Sequence, residues 1–230
     1  SNFFIKCGSF FLGMVNTIIP GGFYLVMEGP DGCGKSTQCN LLEEALRKEF
    51  DVLRIREPGG TLFGNKIREL LLDSAHEDLD AVTELFLFSA SRRYSIQTVV
   101  APALSEGKLV LSDRNFYSTE AYQGAGGNVN GRDINYINLL AASGAKLDLA
   151  IIFDIDSEEG VRRARGASEI QDKIEARAID YHKRVREGYK QIAKRDSDVC
   201  VLVDGSKSVE EIHDEVYQIS KKRIDTVLKA

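Results

Sequence analysis

Gly29-Pro30-Asp31-Gly32-Cys33-Gly34-Lys35-Ser36 fits the pattern G-x-x-x-x-G-K-[ST], and that pattern has a physical purpose. Its glycines let the backbone turn sharply, so that successive N–H groups converge on anionic oxygens. The helix expected to follow adds the partial positive charge of its N-terminus. Lys35 is placed to neutralise the β/γ-phosphate charge of a nucleoside triphosphate, and the Ser36 hydroxyl to sit on Mg²⁺. Four further groups carry candidate chemistry. Asp113-Arg114 ends an apolar run, which suits a carboxylate beside Mg²⁺ and a planar cation on a phosphate. Arg56-Glu57-Pro58-Gly59-Gly60-Thr61 is a turn that carries an ion pair no turn requires. Phe88 and Arg92 lie four apart on one predicted helix face, an aromatic plate and a guanidinium suited to a planar base with carbonyl oxygens. Arg162, Arg163 and Arg165 precede a polar break and are read either as a lid over phosphates or as a solvated helix face. His76, His182 and His213 pair with no Ser or Cys motif, so neither a hydrolytic triad nor a zinc site is supported.

The elements that must position these residues alternate. Apolar runs at 23–27, 52–56, 109–113, 149–153 and 199–203 read as strands buried on both faces. Helices are expected over 37–50, 62–72, 79–104, 133–143, 161–165, 174–194 and 209–228, with Pro102 bending the third near its end and 114–132 only partly helical. This order predicts an α/β fold, a five-stranded parallel sheet with helices on both faces. Ligands in such folds lie beyond the C-terminal strand ends, where the phosphate loop, Arg56, Asp113-Arg114 and Asp154 to Asp156 collect.

At 230 residues without a linker or repeat, 21–230 is read as one domain with a lid at about 162–173. Residues 1–20 are read as an extension preceding the fold. Its apolar stretch is too short to span a bilayer and lacks a basic leader and cleavage site. A net charge of −5 gives no nucleic-acid footprint. The cysteines Cys7, Cys33, Cys39 and Cys200 show no C-x-x-C spacing, as expected of reduced thiols in a cytoplasmic protein. No membrane partner is expected.

Taken together, the phosphate loop, Arg56 to Thr61, Phe88-Ser89-Ala90-Ser91-Arg92, Asp113-Arg114 and Ser118-Thr119-Glu120-Ala121-Tyr122-Gln123-Gly124 resemble thymidylate kinases, in family order from about Phe23 onward. That resemblance implies a P-loop NTPase-type fold with a short lid and transfer of the ATP γ-phosphoryl group to dTMP, giving dTDP and ADP with Mg²⁺. It implies an ATP site at Gly29, Pro30, Asp31, Gly32, Cys33, Gly34, Lys35, Ser36 and Thr37, and metal contacts at Ser36 and Asp113. It implies a dTMP site at Asp31, Arg56, Glu57, Arg68, Phe88, Arg92, Arg114, Thr119, Tyr122 and Gln123. Phe88 stacks on thymine in this reading, Arg92 bonds a base carbonyl, and Tyr122 crowds out a ribose 2′-hydroxyl. The catalytic set is then Lys35, Asp113, Arg114 and a lid cation.

Some family members carry Arg after the loop carboxylate, where this chain has Gly32. The missing cation is therefore sought in the lid among Arg162, Arg163, Arg165 and Lys173, with Arg165 the first choice. A homodimer is expected from the resemblance and from the apolar face of the 79–104 helix. The competing readings are another nucleoside or nucleoside monophosphate kinase, a non-catalytic scaffold and a GTP-binding switch. The last is disfavoured because Asn65-Lys66-Ile67-Arg68 lacks the Asp that would pair with guanine.

Overall fold

The computed structural model describes residues 17–72, 78–167 and 174–229. Its centre is a sheet of five parallel strands: β1 (Phe23–Glu28), β2 (Val52–Arg56), β3 (Leu109–Asp113), β4 (Leu149–Asp154) and β5 (Cys200–Asp204), in the order β2-β3-β1-β4-β5. Every residue of β1 and β3 is buried, as the unbroken apolar runs require. Successive side chains point to opposite faces and divide the core in two. Phe23, Leu25, Met27, Leu109, Leu111, Ile151 and Phe153 pack on one face, together with helices α1 (Lys35–Leu46) and α9 (Val209–Leu228). Tyr24, Val26, Val110, Ala150 and Ile152 pack on the other. That face is covered by α3 (Ala81–Ser95), α4 (Ala101–Ser105), α5 (Phe116–Thr119) and α8 (Ile179–Arg195). Helices α2 (Leu62–Leu72) and α6 (Gly131–Ala142) flank α3, and α7 (Ser157–Ala167) follows β4.

The chain leaves β1 toward β2 on one side and returns to β4 on the other, so β1 is the switch point of the sheet. Met27 and Arg56 are both in register with Asp113, which brings the loop after β1, the Arg56 turn and Asp113-Arg114 to one edge.

Several expected boundaries move. The strand and sheet assignments hold, but α7 begins at Ser157, ahead of Val161, because the Asp156 side chain accepts from the backbone N–H groups of Glu158 and Glu159. Helix α8 begins at Ile179 after a turn at 174–177, later than the expected Ile174. The long 79–104 helix starts at Ala81, capped by Asp80, and widens into a π segment at Ile96–Val100. Pro102 follows two residues after it and has no N–H to donate, so the ladder is interrupted there. A second π segment, Glu120–Gly126, lies within the expected polar stretch. The chain meets the fold before residue 21: Thr17 bridges Phe50, and Ile19 is fully buried and donates to the Gly107 carbonyl. Residues 1–16 and the lid segment 168–173, with Lys173, lie outside the described residues.

Candidate active site

Beyond the C-terminal ends of β1, β2 and β3 lies a cleft of about 410 Å³. Its floor on one side is the phosphate loop, from Asp31 to Thr37. Gly32 adopts φ +72°, and a Cβ there would stand 2.0 Å from the Gly160 carbonyl oxygen of α7. A Cβ on Gly160 would in turn come within 2.8 Å of the Asp31 carbonyl oxygen. Loop and helix therefore meet backbone to backbone. Lys35 is buried with its Nζ 4.0 Å from the Cys33 Sγ, a weak partner for an ammonium.

Ser36 donates its hydroxyl to Asp113 Oδ2 at 3.2 Å. Burial works against ionisation of Asp113, but Lys35, Arg114, Arg54 and Arg56 outweigh it and hold the carboxyl below the usual carboxylate range. No group of three or more His, Cys, Asp or Glu suited to a metal occurs among the described residues. A hydroxyl beside a lone ionised carboxylate, both hard oxygen donors, fits Mg²⁺, which keeps several waters and takes its other ligands from phosphates. Ser36 and Asp113 would hold it.

Arg114 faces this pair across the cleft. Its backbone sits at φ +74°, an unfavourable conformation for a side-chain-bearing residue. It is held there by Arg114 N–H donating to the Met27 carbonyl and by the Ser112 hydroxyl donating to the Arg114 carbonyl. The guanidinium donates to the Asp31 carboxylate, the Gly29 carbonyl, and the hydroxyls of Ser118, Tyr122 and Tyr189. Below it, fully buried Glu28 accepts from Asn115 N–H, Ser118 N–H and the hydroxyls of Ser118 and Tyr189. Glu28 thus aims the hydroxyls that aim Arg114. Burial opposes the Asp31 charge, yet Arg114, Lys35 and the Tyr122 hydroxyl together keep its carboxyl low.

The far wall is built for a flat ligand. Phe88 of α3 lines it with Thr119, Tyr122 and Gln123 of the segment after Arg114, and Arg56, Glu57 and Arg68 complete it. Arg68 donates to the Pro58 carbonyl at 3.3 Å.

Four expected site residues lie elsewhere. Gly29 and Pro30 form the root of the loop behind the cleft surface. Arg92, expected to bond a base carbonyl, is buried behind the wall, and its guanidinium donates to Glu57 at 2.7 Å, Asn138, the Asn115 carbonyl and Thr119. It holds Glu57 and Thr119, which do line the cleft. Arg165 is absent from the cleft lining and lines a separate hollow with Arg162 and Arg177. Its neighbour Arg163 lines the cleft instead, with its Nε on Glu159 and its Nη1 on the Gly205 carbonyl.

The sequence assigned no role to Glu28 or Glu84, and ranked Arg163 behind Arg165 among the lid cations. Glu28 was visible as a charge ending an apolar strand. Glu84 extends the Phe88–Arg92 spacing back by one more helical step.

Comparison with known proteins decides the family. The family model described as thymidylate kinase matches residues 27–216. The chain belongs to the thymidylate kinase family. It is 39% identical over 203 residues to the thymidylate kinase of Sulfurihydrogenibium sp. (strain YO3AOP1), covering 88% of this chain and 98% of that protein. The crystal structure of thymidylate kinase from Ehrlichia chaffeensis superposes with a TM-score of 0.71 at 32% identity, covering 88% of this chain and 99% of that one. The expected α/β architecture is therefore that of the thymidylate kinase family, and the chain is a nucleotide-biosynthetic kinase.

Proposed function

We propose that this protein transfers the γ-phosphoryl group of ATP to dTMP, giving dTDP and ADP, with Mg²⁺ as cofactor. One observation carries the reading: a phosphate loop with Lys35, Ser36 and Asp113 faces Arg114, Phe88 and Gln123 across a single cleft. Mg²⁺, when bound, supplies charge neutralisation on the β/γ-phosphate oxygens. Attacking and leaving groups are both anionic, so the protein's task is alignment and screening. Lys35 meets the donor phosphates. Arg114 turns from Asp31 to the dTMP phosphate, and Arg68 and Arg56 add charge from the β2 side. Phe88 stacks on the base while Tyr122 fills the space a 2′-hydroxyl would need. Among the described lid cations Arg163 is the one that lines the cleft, so the role first given to Arg165 passes to it.

The apolar residues left exposed on α2, α3 and α6, among them Leu62, Phe86, Tyr136, Leu139 and Leu140, support the homodimer. No described helix is long and apolar enough to cross a membrane. The reaction is placed in the cytoplasm, where ATP is at hand and thiols such as Cys33 and Cys39 stay reduced.

The test is a panel of dTMP, dUMP, UMP, CMP and thymidine with Mg-ATP and product identification. Turnover of dTMP to dTDP above all others is the expected result. Equal or better turnover of thymidine would overturn the reading in favour of a nucleoside kinase, and preferred turnover of UMP or CMP in favour of another monophosphate kinase.

A further inference from the structure

Gln123 lines the cleft and is almost wholly buried, so the orientation of its amide decides what it offers a ligand. One branch is committed: Nε2 donates to Glu84 Oε2 at 3.0 Å, in a buried contact. An ionised carboxylate only accepts hydrogen bonds, so the NH₂ branch must face Glu84 and the carbonyl branch is turned elsewhere. Glu84 is itself fixed. It sits buried on α3, and its Oε1 takes Nη2 of Arg177. Arg177 also donates to the Tyr181 hydroxyl at 2.7 Å and lies 4.6 Å above that ring, and the Tyr181 hydroxyl donates to the Tyr122 carbonyl. Arg177 closes the turn at 174–177, whose Ile174 and Glu175 line the cleft.

We infer that Glu84, anchored by Arg177, locks Gln123 as a hydrogen-bond acceptor toward the base and so sets the preference for thymine over cytosine. The inference rests on the dTMP reading above. Thymine presents N–H at N3, which a carbonyl oxygen accepts. Cytosine presents a bare N3 acceptor, which would leave two acceptors face to face in a buried place, and a site built this way rejects the mismatched group strongly. Neither Glu84 nor Arg177 lines the cleft. Both are positioning residues. The same ion pair ties the turn over the cleft to the side chain that reads the base.

The test compares dTMP with dCMP, by kcat/KM with Mg-ATP and by calorimetric Kd, in wild type, E84Q, Q123L and the double variant E84Q/Q123L. In E84Q the introduced amide turns its carbonyl to Arg177 and its NH₂ to Gln123, which reverses the Gln123 amide. The dTMP/dCMP ratio should fall by at least about tenfold, through KM and Kd for dTMP, with kcat for dTMP kept within about threefold. Because Glu84 acts through Gln123, adding E84Q to Q123L should change the ratio by less than about twofold. A ratio in E84Q within about twofold of wild type, or an equal loss of kcat on both acceptors at unchanged KM, would overturn the inference. Where E84Q does not fold, Arg177→Met serves, since Arg177 is only partly buried. Loosening Glu84 should then raise the KM for dTMP by at least about threefold at unchanged kcat, and an unchanged KM overturns the inference. Wild type inactive on dTMP would instead remove the underlying reading, before any variant is made.

Discussion

At the scale of single residues, the cleft is a set of charges held in readiness by hydrogen-bonded partners. Lys35 waits beside a thiol, and Arg114 is shared among Asp31, a carbonyl and three hydroxyls. Lys35→Ala should lower kcat by about 10²-fold or more, the scale of losing one donor to a developing oxyanion, as steady-state kinetics would show. Arg163→Ala should lower kcat by more than about tenfold while Arg165→Ala leaves it nearly unchanged; the opposite order would return the lid role to Arg165. Phe88→Ala should raise the KM for dTMP by about tenfold, given about 1–3 kcal/mol for stacking a base on a ring. Asp31 and Asp113 titrate lower in the fold than in the open chain. The unfolded chain then binds protons first on acidification, so their stabilisation is complete above about pH 5 and is lost as pH falls through and below about 4. Asp113→Asn should flatten Tm against pH between about pH 5 and 3, measured without nucleotide. A slope equal to wild type would show that Asp113 contributes nothing to it.

At the scale of elements, α3 carries Glu84, Phe88 and Arg92 on one stripe, so its start fixes the register of the base site. Asp80 sets that start by accepting from Val82 and Thr83 N–H. Asp80→Ala should lower Tm by about 2–4 °C with kcat largely preserved, by thermal melting alongside an activity assay. The strands were legible because burial on both sheet faces writes unbroken apolar runs. The phosphate loop was legible because its glycines and its Lys-Ser pair have no cheaper use. Helix ends were less so. Asp156 caps α7 through its side chain, a signal carried by one residue rather than by periodicity. Arg92 lies behind the wall for a related reason: spacing says which helix face a residue occupies, but not that Glu57 is there to pair with it. Arg163 and Arg165 differ only by their angle around α7, and that angle depends on where the helix is seated.

At the scale of the whole molecule, the acceptor wall, the phosphate loop and the lid helix converge on the ends of β1 and β3, while α2, α3 and α6 leave apolar side chains on the outer surface. Sedimentation at micromolar concentration should show a dimer that Leu139→Arg dissociates, since a buried unpaired charge in an apolar interface is strongly unfavourable. Gly32 does more than omit a side chain from the loop. With 2.0 Å between a Cβ at position 32 and the Gly160 oxygen, an arginine placed there would lift α7 from its seat and take Arg163 with it. The loop and the seat of α7 are therefore coupled: a side chain enters at position 32 only if the α7 backbone at Gly160 gives way.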